Sequence, residues 1–418
     1  MRPFPLALYA ALTGLAEPLA PALLRRRAAR GKEDPLRVSE RLGRASAPRP
    51  EGEVVWLHGV SVGESLSLLP LVSAFTRPGR TILVTSGTRT SAELLAKRLP
   101  TGVIHQYAPV DTPRAVKGFL DHWRPRAGFL VESELWPNLI LAAKARGVKL
   151  ALVSARMTEG SAQGWARAPG AARALLAAFD LILPQDSETE VRLNALGGVT
   201  GPRLNLKLVG EPLPFDADEL VRLKAAIGGR KTVLAASTHP GEEEIIARAH
   251  IAAQTGALLI VAPRHPERGA AVAGLLAAEG LKVARRSASE PLAADTEAYV
   301  ADTLGEMGLF FRAADVAVMG GGFAPGIGGH NPLEPARLAV PILTGPHAFN
   351  AAAIYAEMFE RMAAIQTDAP RDLTRDLRGL LTEPLIAARM GEAALAYADR
   401  QGAALDEAMA LLEPLAAA

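Results

Sequence analysis

The rhythm of the chain beyond residue 50 constrains its fold most. Short, β-branched apolar runs alternate with longer Ala/Leu-rich segments, which is how a parallel sheet covered by helices reads in sequence. Strands are expected at 54–58, 81–85, 127–131, 150–153 and 181–184. A Pro- and Gly-containing stretch at 209–214 interrupts the pattern, which resumes at 231–236, 258–262, 298–301, 316–319 and 341–343. A chain of 418 residues exceeds one ordinary core. The expected architecture is α/β, with two Rossmann-like doubly wound domains at 46–208 and 209–418 facing an inter-domain cleft. No period of 20 to 50 residues recurs, which argues against a solenoid.

Residues 1–45 read differently. A mostly apolar run over 3–24 precedes Arg25, Arg26, Arg27, Arg30 and Lys32. The first 50 residues hold ten Lys/Arg against four Asp/Glu, while the rest of the chain is slightly acidic. Charge concentrated at one end argues against nucleic-acid binding, which spreads it over a domain face, and for an anionic lipid surface. Pro3, Pro5, Pro18, Pro21 and Glu17 break the run, and no small-residue cleavage site follows it. Interfacial association is the expectation, with a transmembrane anchor and a helix packed on the protein's own core as alternatives. Arginines directly after the run place it on the cytoplasmic side. The absence of cysteine excludes disulfides, thiolate metal sites and a cysteine nucleophile.

Several strand-to-helix loops carry chemistry. Gly328, Gly329, His330, Asn331, Pro332, Leu333 and Glu334 combine a permissive backbone, an imidazole, an amide and a carboxylate, a set suited to a nucleotide sugar. Ser61 to Glu64, directly after the first strand, fits a capping box, and Glu64 equally stands where open α/β sheets bind ligands; the residues leave both readings open. Glu132 and Glu134 follow a buried-looking strand, where two carboxylates bind a metal, divide into acid and base, or take separate polar partners, or else simply belong to a solvated loop that Trp136 packs down. No Asp-x-Asp motif or spaced His/Asp cluster supports the metal. Ser237, Thr238 and the turn after them suit a phosphate, Glu242 to Glu244 suit a helix dipole and equally a functional role, and Arg264 offers a fixed positive charge with bidentate donors. Lys207 in isolation reads as an ordinary surface lysine.

Taken in order, residues 58–64, 132–138, 205–207, 237–242, 263–268, 320–322, 329–334 and 345–347 resemble the bacterial 3-deoxy-D-manno-octulosonic acid (Kdo) transferases of lipopolysaccharide synthesis nearly end to end. The resemblance implies a glycosyltransferase B fold and an inverting, metal-independent, cofactor-free transfer of Kdo from CMP-Kdo to a lipid A precursor, lipid IVA, at the inner membrane. It implies that Glu64 is the general base and that Glu132 and Lys207 stabilise the transition state. CMP falls to Pro263 and Arg264, to Gly305, Glu306 and Met307, and to Asn331, Pro332, Leu333 and Glu334. One departure concerns Lys207: the family's Gly-Asn-Leu-Lys run is split here, with Pro202, Arg203 and Leu204 between Gly201 and Asn205. The alternatives are a B-fold nucleotide-sugar epimerase, which has no use for the apolar basic N-terminus, and a membrane-bound glycan-binding protein without catalysis.

Overall fold

The computed structural model describes residues 3–210 and 212–417, so Glu211 within the expected boundary stretch lies outside the described residues. The chain forms two compact units.

The first unit is built on β1 (Glu53–His58), β2 (Arg80–Ser86), β3 (Ile104–Tyr107), β4 (Ala127–Val131), β5 (Lys149–Ala155) and β6 (Leu181–Pro184). All pairings are parallel, in the order β3-β2-β1-β4-β5-β6. That is the doubly wound order in which the chain reverses direction between β1 and β4, and ligands of such sheets bind beyond the carboxyl ends at that point. Alternation along β1 supplies a core on each face. Val54 and Trp56 join Phe119 and Trp123 on one side, whereas Val55 and Leu57 join Phe75 and Phe129 on the other. Each such fully buried side chain stabilises the sheet by about 1.5–3 kcal/mol.

The second unit is built on β7 (Thr232–Thr238), β8 (Leu258–Pro263), β9 (Val283–Arg285), β10 (Ala298–Val300), β11 (Val316–Met319), β12 (Ile342–Thr344) and β13 (Ile365–Gln366). Its order is β13-β12-β11-β7-β8-β10-β9, again all parallel, with the direction changing between β7 and β11. Three strands were not expected from the sequence: β3, β9 and β13.

The division of the chain departs from the expected one at the C-terminus. The first unit runs to Gly210 and also takes Gln401–Ala418, whereas the second ends at Arg400. Within the last helix, Pro384–Ala417, the residues Ala408, Leu412 and Ala416 are buried in the first unit's core. Glu413 grips the buried guanidinium of Arg80 through two hydrogen bonds of 3.0 and 2.9 Å. Those bonds hold the Glu413 carboxyl below its ordinary range. A buried arginine that loses such a partner costs several kcal/mol, which ties the stability of the first unit to a segment remote in sequence.

The N-terminal segment forms helices Phe4–Ala16 and Ala20–Ala29, joined by a 3₁₀ turn at Glu17–Leu19. It does not stand apart as 1–45 suggested. Glu17 accepts from Thr112 Oγ1 at 2.9 Å and from Ala115 N at 3.1 Å, so it caps the helix Pro113–Trp123, and Asn138 donates to Thr13 Oγ1 at 2.9 Å. The opposite side leaves Phe4, Leu8, Leu12, Leu15, Leu19 and Leu23 exposed.

Candidate active site

In the first unit two loops leave neighbouring strands at the switch point, since β1 and β4 pair as far as His58 and Leu130. The loop after β1 turns at Gly59, where a Cβ would stand 3.0 Å from both the Glu64 Cβ and a Val131 methyl. Only glycine allows so close an approach without displacing a neighbour. The helix Val62–Ser67 then opens on a complete capping box. Glu64 Oε2 accepts from Val60 N at 2.6 Å, Oε1 accepts from the Ser61 hydroxyl at 2.9 Å, and Ser61 Oγ accepts from Glu64 N at 3.3 Å. Oε2 also accepts from Ser61 N at 3.4 Å, and since a carboxylate has about four acceptor positions, one remains for a further donor.

The loop after β4 resolves the two carboxylates in favour of separate partners. The strand stops at Val131, and Glu132 takes a left-handed backbone with φ 58°. A non-glycine residue there costs about 1–3 kcal/mol and persists only where its surroundings require it. The turn aims the buried Glu132 side chain at Lys207, whose Nζ lies 2.7 Å from Oε1. Lys207 is delivered by a second device. Ser154, also left-handed at φ 52°, accepts from Leu206 N at 3.2 Å through its hydroxyl, and Asn205 Oδ1 accepts from Lys207 N at 3.1 Å. The three extra residues before Asn205 therefore leave Lys207 at the end of β4. Glu134 turns the other way, to buried His58, with His58 Nε2 3.3 Å from its Oε2, and it also accepts from the Trp136 indole.

In the second unit the loops after β7, β8, β10 and β11 gather at the corresponding end of the sheet. Gly320 ends β11 so close to β7 that a Cβ would stand 2.5 Å from the Ser237 carbonyl oxygen. Glu242 is fully buried and accepts from His239 N at 2.9 Å, Gly321 N at 2.7 Å and Phe323 N at 2.8 Å, so it pins the glycine loop to the loop after β7. Glu243 is equally committed, to Arg268 at 2.7 Å and to the Thr238 hydroxyl at 2.9 Å. Of the two readings open for Glu242 and Glu243, a bare complement to a helix dipole is thus too little, and one expectation is corrected: Thr238 is buried with its hydroxyl already used.

Arg264 remains available. Its backbone N–H donates to the Thr238 carbonyl at 2.9 Å, while its side chain is exposed with no salt-bridge partner among the described residues. Nearby, His239 Nε2 and His330 Nε2 stand 2.9 Å apart with rings nearly parallel. Burial lowers the His330 imidazole to about 4, with His239 and Arg264 adding to the effect. Burial lowers His239 as well. Glu334 sits one residue into the single-turn helix Leu333–Ala336, its carboxyl raised by burial and opposed by Arg337 and Arg264. Asn331 Oδ1 accepts from Leu333 N at 3.1 Å, and Pro332 and Leu333 are buried. Gly305 has φ 84°, and Glu306 precedes the helix that begins at Met307. The Glu306 carboxylate is bound by Arg286 Nε at 2.6 Å and also accepts from Thr303, so its side chain is already committed.

The structure thus joins Glu132 to Lys207 and places Glu64 in the first turn of the helix that follows the adjoining strand. It sets Pro263 and Arg264, Gly305 to Met307, and Asn331 to Glu334 at strand ends of the other unit. Sequence reasoning quoted His58, Glu134, His239 and Glu242 within motifs without giving them these roles. Ser154 carried no signal, because nothing local marks a left-handed serine.

Comparison with known proteins decides the family. A family model described as 3-deoxy-D-manno-octulosonic-acid transferase (kdotransferase) matches residues 36–208. A 3-deoxy-D-manno-octulosonic acid transferase of Bordetella pertussis is 36% identical over 428 residues, covering 96% of this chain and 97% of its own. The chain belongs to the Kdo transferases. It is accordingly a glycosyltransferase. A probable mitochondrial 3-deoxy-D-manno-octulosonic acid transferase of Arabidopsis thaliana is 38% identical over 81% of this chain and 79% of its own. Among solved structures, a glycosyltransferase from Rickettsia africae superposes with a TM-score of 0.56 at 10% identity, over 88% of this chain and 99% of that one. A UDP-GlcNAc 2-epimerase from Neisseria meningitidis gives 0.56 at 12% identity, over 86% and 100%. These two speak to the fold alone, the two-domain glycosyltransferase B fold.

Proposed function

We propose that this Kdo transferase moves Kdo from CMP-Kdo to a hydroxyl of the lipid A precursor lipid IVA, with inversion and without a metal, at the cytoplasmic face of the inner membrane. The observation that carries the reading is the Glu132–Lys207 pair set beside the Glu64 loop: a carboxylate with an open acceptor position stands just beyond one strand end and a clamped cation at the next.

Glu64 takes the proton of the acceptor hydroxyl as its oxygen bonds to the anomeric carbon of Kdo. The bond from that carbon to the CMP phosphate breaks on the opposite face, and its electron pair leaves with the phosphate. Attack opposite the leaving group inverts the anomeric centre. Lys207, oriented by Glu132, stabilises negative charge that develops at the first unit's site, and in the second unit the unpaired Arg264 counters the charge of the CMP phosphate. Arg264 and the loops holding Gly305 to Met307 and Asn331 to Glu334 receive CMP. The exposed leucine row on the N-terminal helices, followed by Arg25 to Arg27, supports monotopic association with an anionic leaflet, since Glu17 and Thr13 tether the other side to the first unit. That tether disfavours a transmembrane anchor.

The test is transfer of labelled Kdo from regenerated CMP-Kdo to lipid IVA, with EDTA present and absent, read by product mass. Product of unchanged yield in EDTA is expected. No product with lipid IVA while CMP still binds would remove the acceptor assignment, and loss of product in EDTA would remove metal independence.

A further inference from the structure

The polar chain behind Trp136 has no part in the scheme above. It starts at Trp56, whose buried Nε1–H donates to Thr85 Oγ1 at 2.8 Å. Thr85 Oγ1 lies 2.9 Å from His58 Nδ1 and 3.4 Å from the Leu57 carbonyl. On the other edge of the ring, His58 Nε2 lies 3.3 Å from Glu134 Oε2. Glu134 Oε2 in turn accepts the Trp136 indole N–H. His58 and Glu134 are 1% and 9% exposed, yet the group at the end of their chain is 41% exposed.

An indole N–H at a wet surface is satisfied by water and needs no partner. Committing a buried histidine and a buried carboxylate to it is costly unless the orientation of the ring itself is used. The chain fixes the polar edge of the indole and leaves its apolar body exposed in the loop that carries Glu132, four residues upstream, at the switch point of the first sheet. A flat aromatic face of set orientation is complementary to the C–H face of a pyranose, which must lie at one angle for its hydroxyl to reach a base. An acyl chain has no face to orient and gains nothing from a fixed ring.

We infer that Trp136 is a stacking platform for a pyranose ring of the acceptor, and that Glu134 and His58 are positioning residues that hold its indole. The inference rests on the proposed acceptor reading. Its test is steady-state transfer to lipid IVA by wild type, Trp136→Phe and Trp136→Ala, with an acyl-free glucosamine disaccharide bisphosphate as competitor. Trp136→Ala should raise the acceptor KM and the competitor's inhibition constant about 3- to 10-fold, and Trp136→Phe should raise them less, with donor KM unchanged in both. Trp56 and Trp123 are buried and Trp165 is half-buried, so the competitor should also shift tryptophan emission in wild type and leave Trp136→Phe nearly silent. An unchanged acceptor KM in Trp136→Ala overturns the platform while wild-type product keeps the acceptor reading intact. A rise in KM for lipid IVA without a change for the acyl-free competitor overturns it in favour of an acyl contact. Absence of wild-type product overturns the acceptor reading and the platform with it.

Discussion

The two units place their loops at the same topological point and give them opposite electrostatic characters. In the first, each carboxylate at the sheet end has a partner: Glu132 has Lys207, Glu134 has the His58 ring, and Glu64 has backbone donors. In the second, each carboxylate near the glycine loop except Glu334 is used up internally, Glu242 by three amides, Glu243 by Arg268 and Glu306 by Arg286. What remains there is Arg264, the Glu334 carboxyl that burial raises, and two imidazoles that burial keeps from charging readily. On the proposed reading, one doubly wound sheet takes up a proton and the other receives an anion. The fold decides where ligands sit, and the pairing of side chains decides which sign of charge they carry.

The largest expected effect tests that division directly. Glu64→Gln keeps an acceptor for the capping box but loses the basicity, so turnover should fall by about 10²–10⁴ while the melting temperature and CMP affinity stay near wild type. A parallel loss of CMP affinity, measured by calorimetry, would break the comparison, because the first unit would then be serving the anion. Arg264→Gln should do the reverse. CMP binding should weaken about 10- to 100-fold, or about 1.4–2.8 kcal/mol, and lose much of its salt dependence, with acceptor KM unchanged.

The smallest effect concerns stability against pH. Burial lowers His105 in the first unit and His330 in the second from 6.5 to about 4, helped by Arg37 in one and by His239 and Arg264 in the other. Between those values the unfolded chain binds more protons than the folded one. The stabilisation is complete above pH 6.5 and is lost as pH falls toward 4. Urea midpoints between pH 7 and 4.5 should decline, and His105→Gln and His330→Gln should each flatten the decline of its own unit. A flat wild-type profile would contradict the assignment.

Ten of the thirteen strands among the described residues were legible because their residues are buried on both faces and read as continuous apolar runs. The three missed strands, β3, β9 and β13, are all edges of their sheets. Ile104 and His105, Val283 and Arg285, and the exposed Gln366 show why: an edge strand buries less and tolerates polar side chains. Within the site, Glu64, Glu132 and Arg264 were legible because each lies directly after a predicted strand. Lys207 required the resemblance, since the Ser154 hydroxyl that positions its loop acts across 52 residues of sequence. The polar chain from Trp56 to Trp136 joins β1, β2 and the loop after β4, and no local pattern encodes a contact made only when strands pair.

The C-terminal helix adds an order of events to this architecture. As the chain leaves the ribosome, the first unit emerges without Ala408, Leu412 and Ala416, and Arg80 has no Glu413 to meet. The intervening unit, Glu211–Arg400, must be made first, and at 5–20 residues per second that takes roughly 10–40 s. Throughout that interval the unit that carries Glu64 is open on one side of its core, so nascent chains pass through a state in which the carboxylate loops exist before the sheet beneath them is sealed.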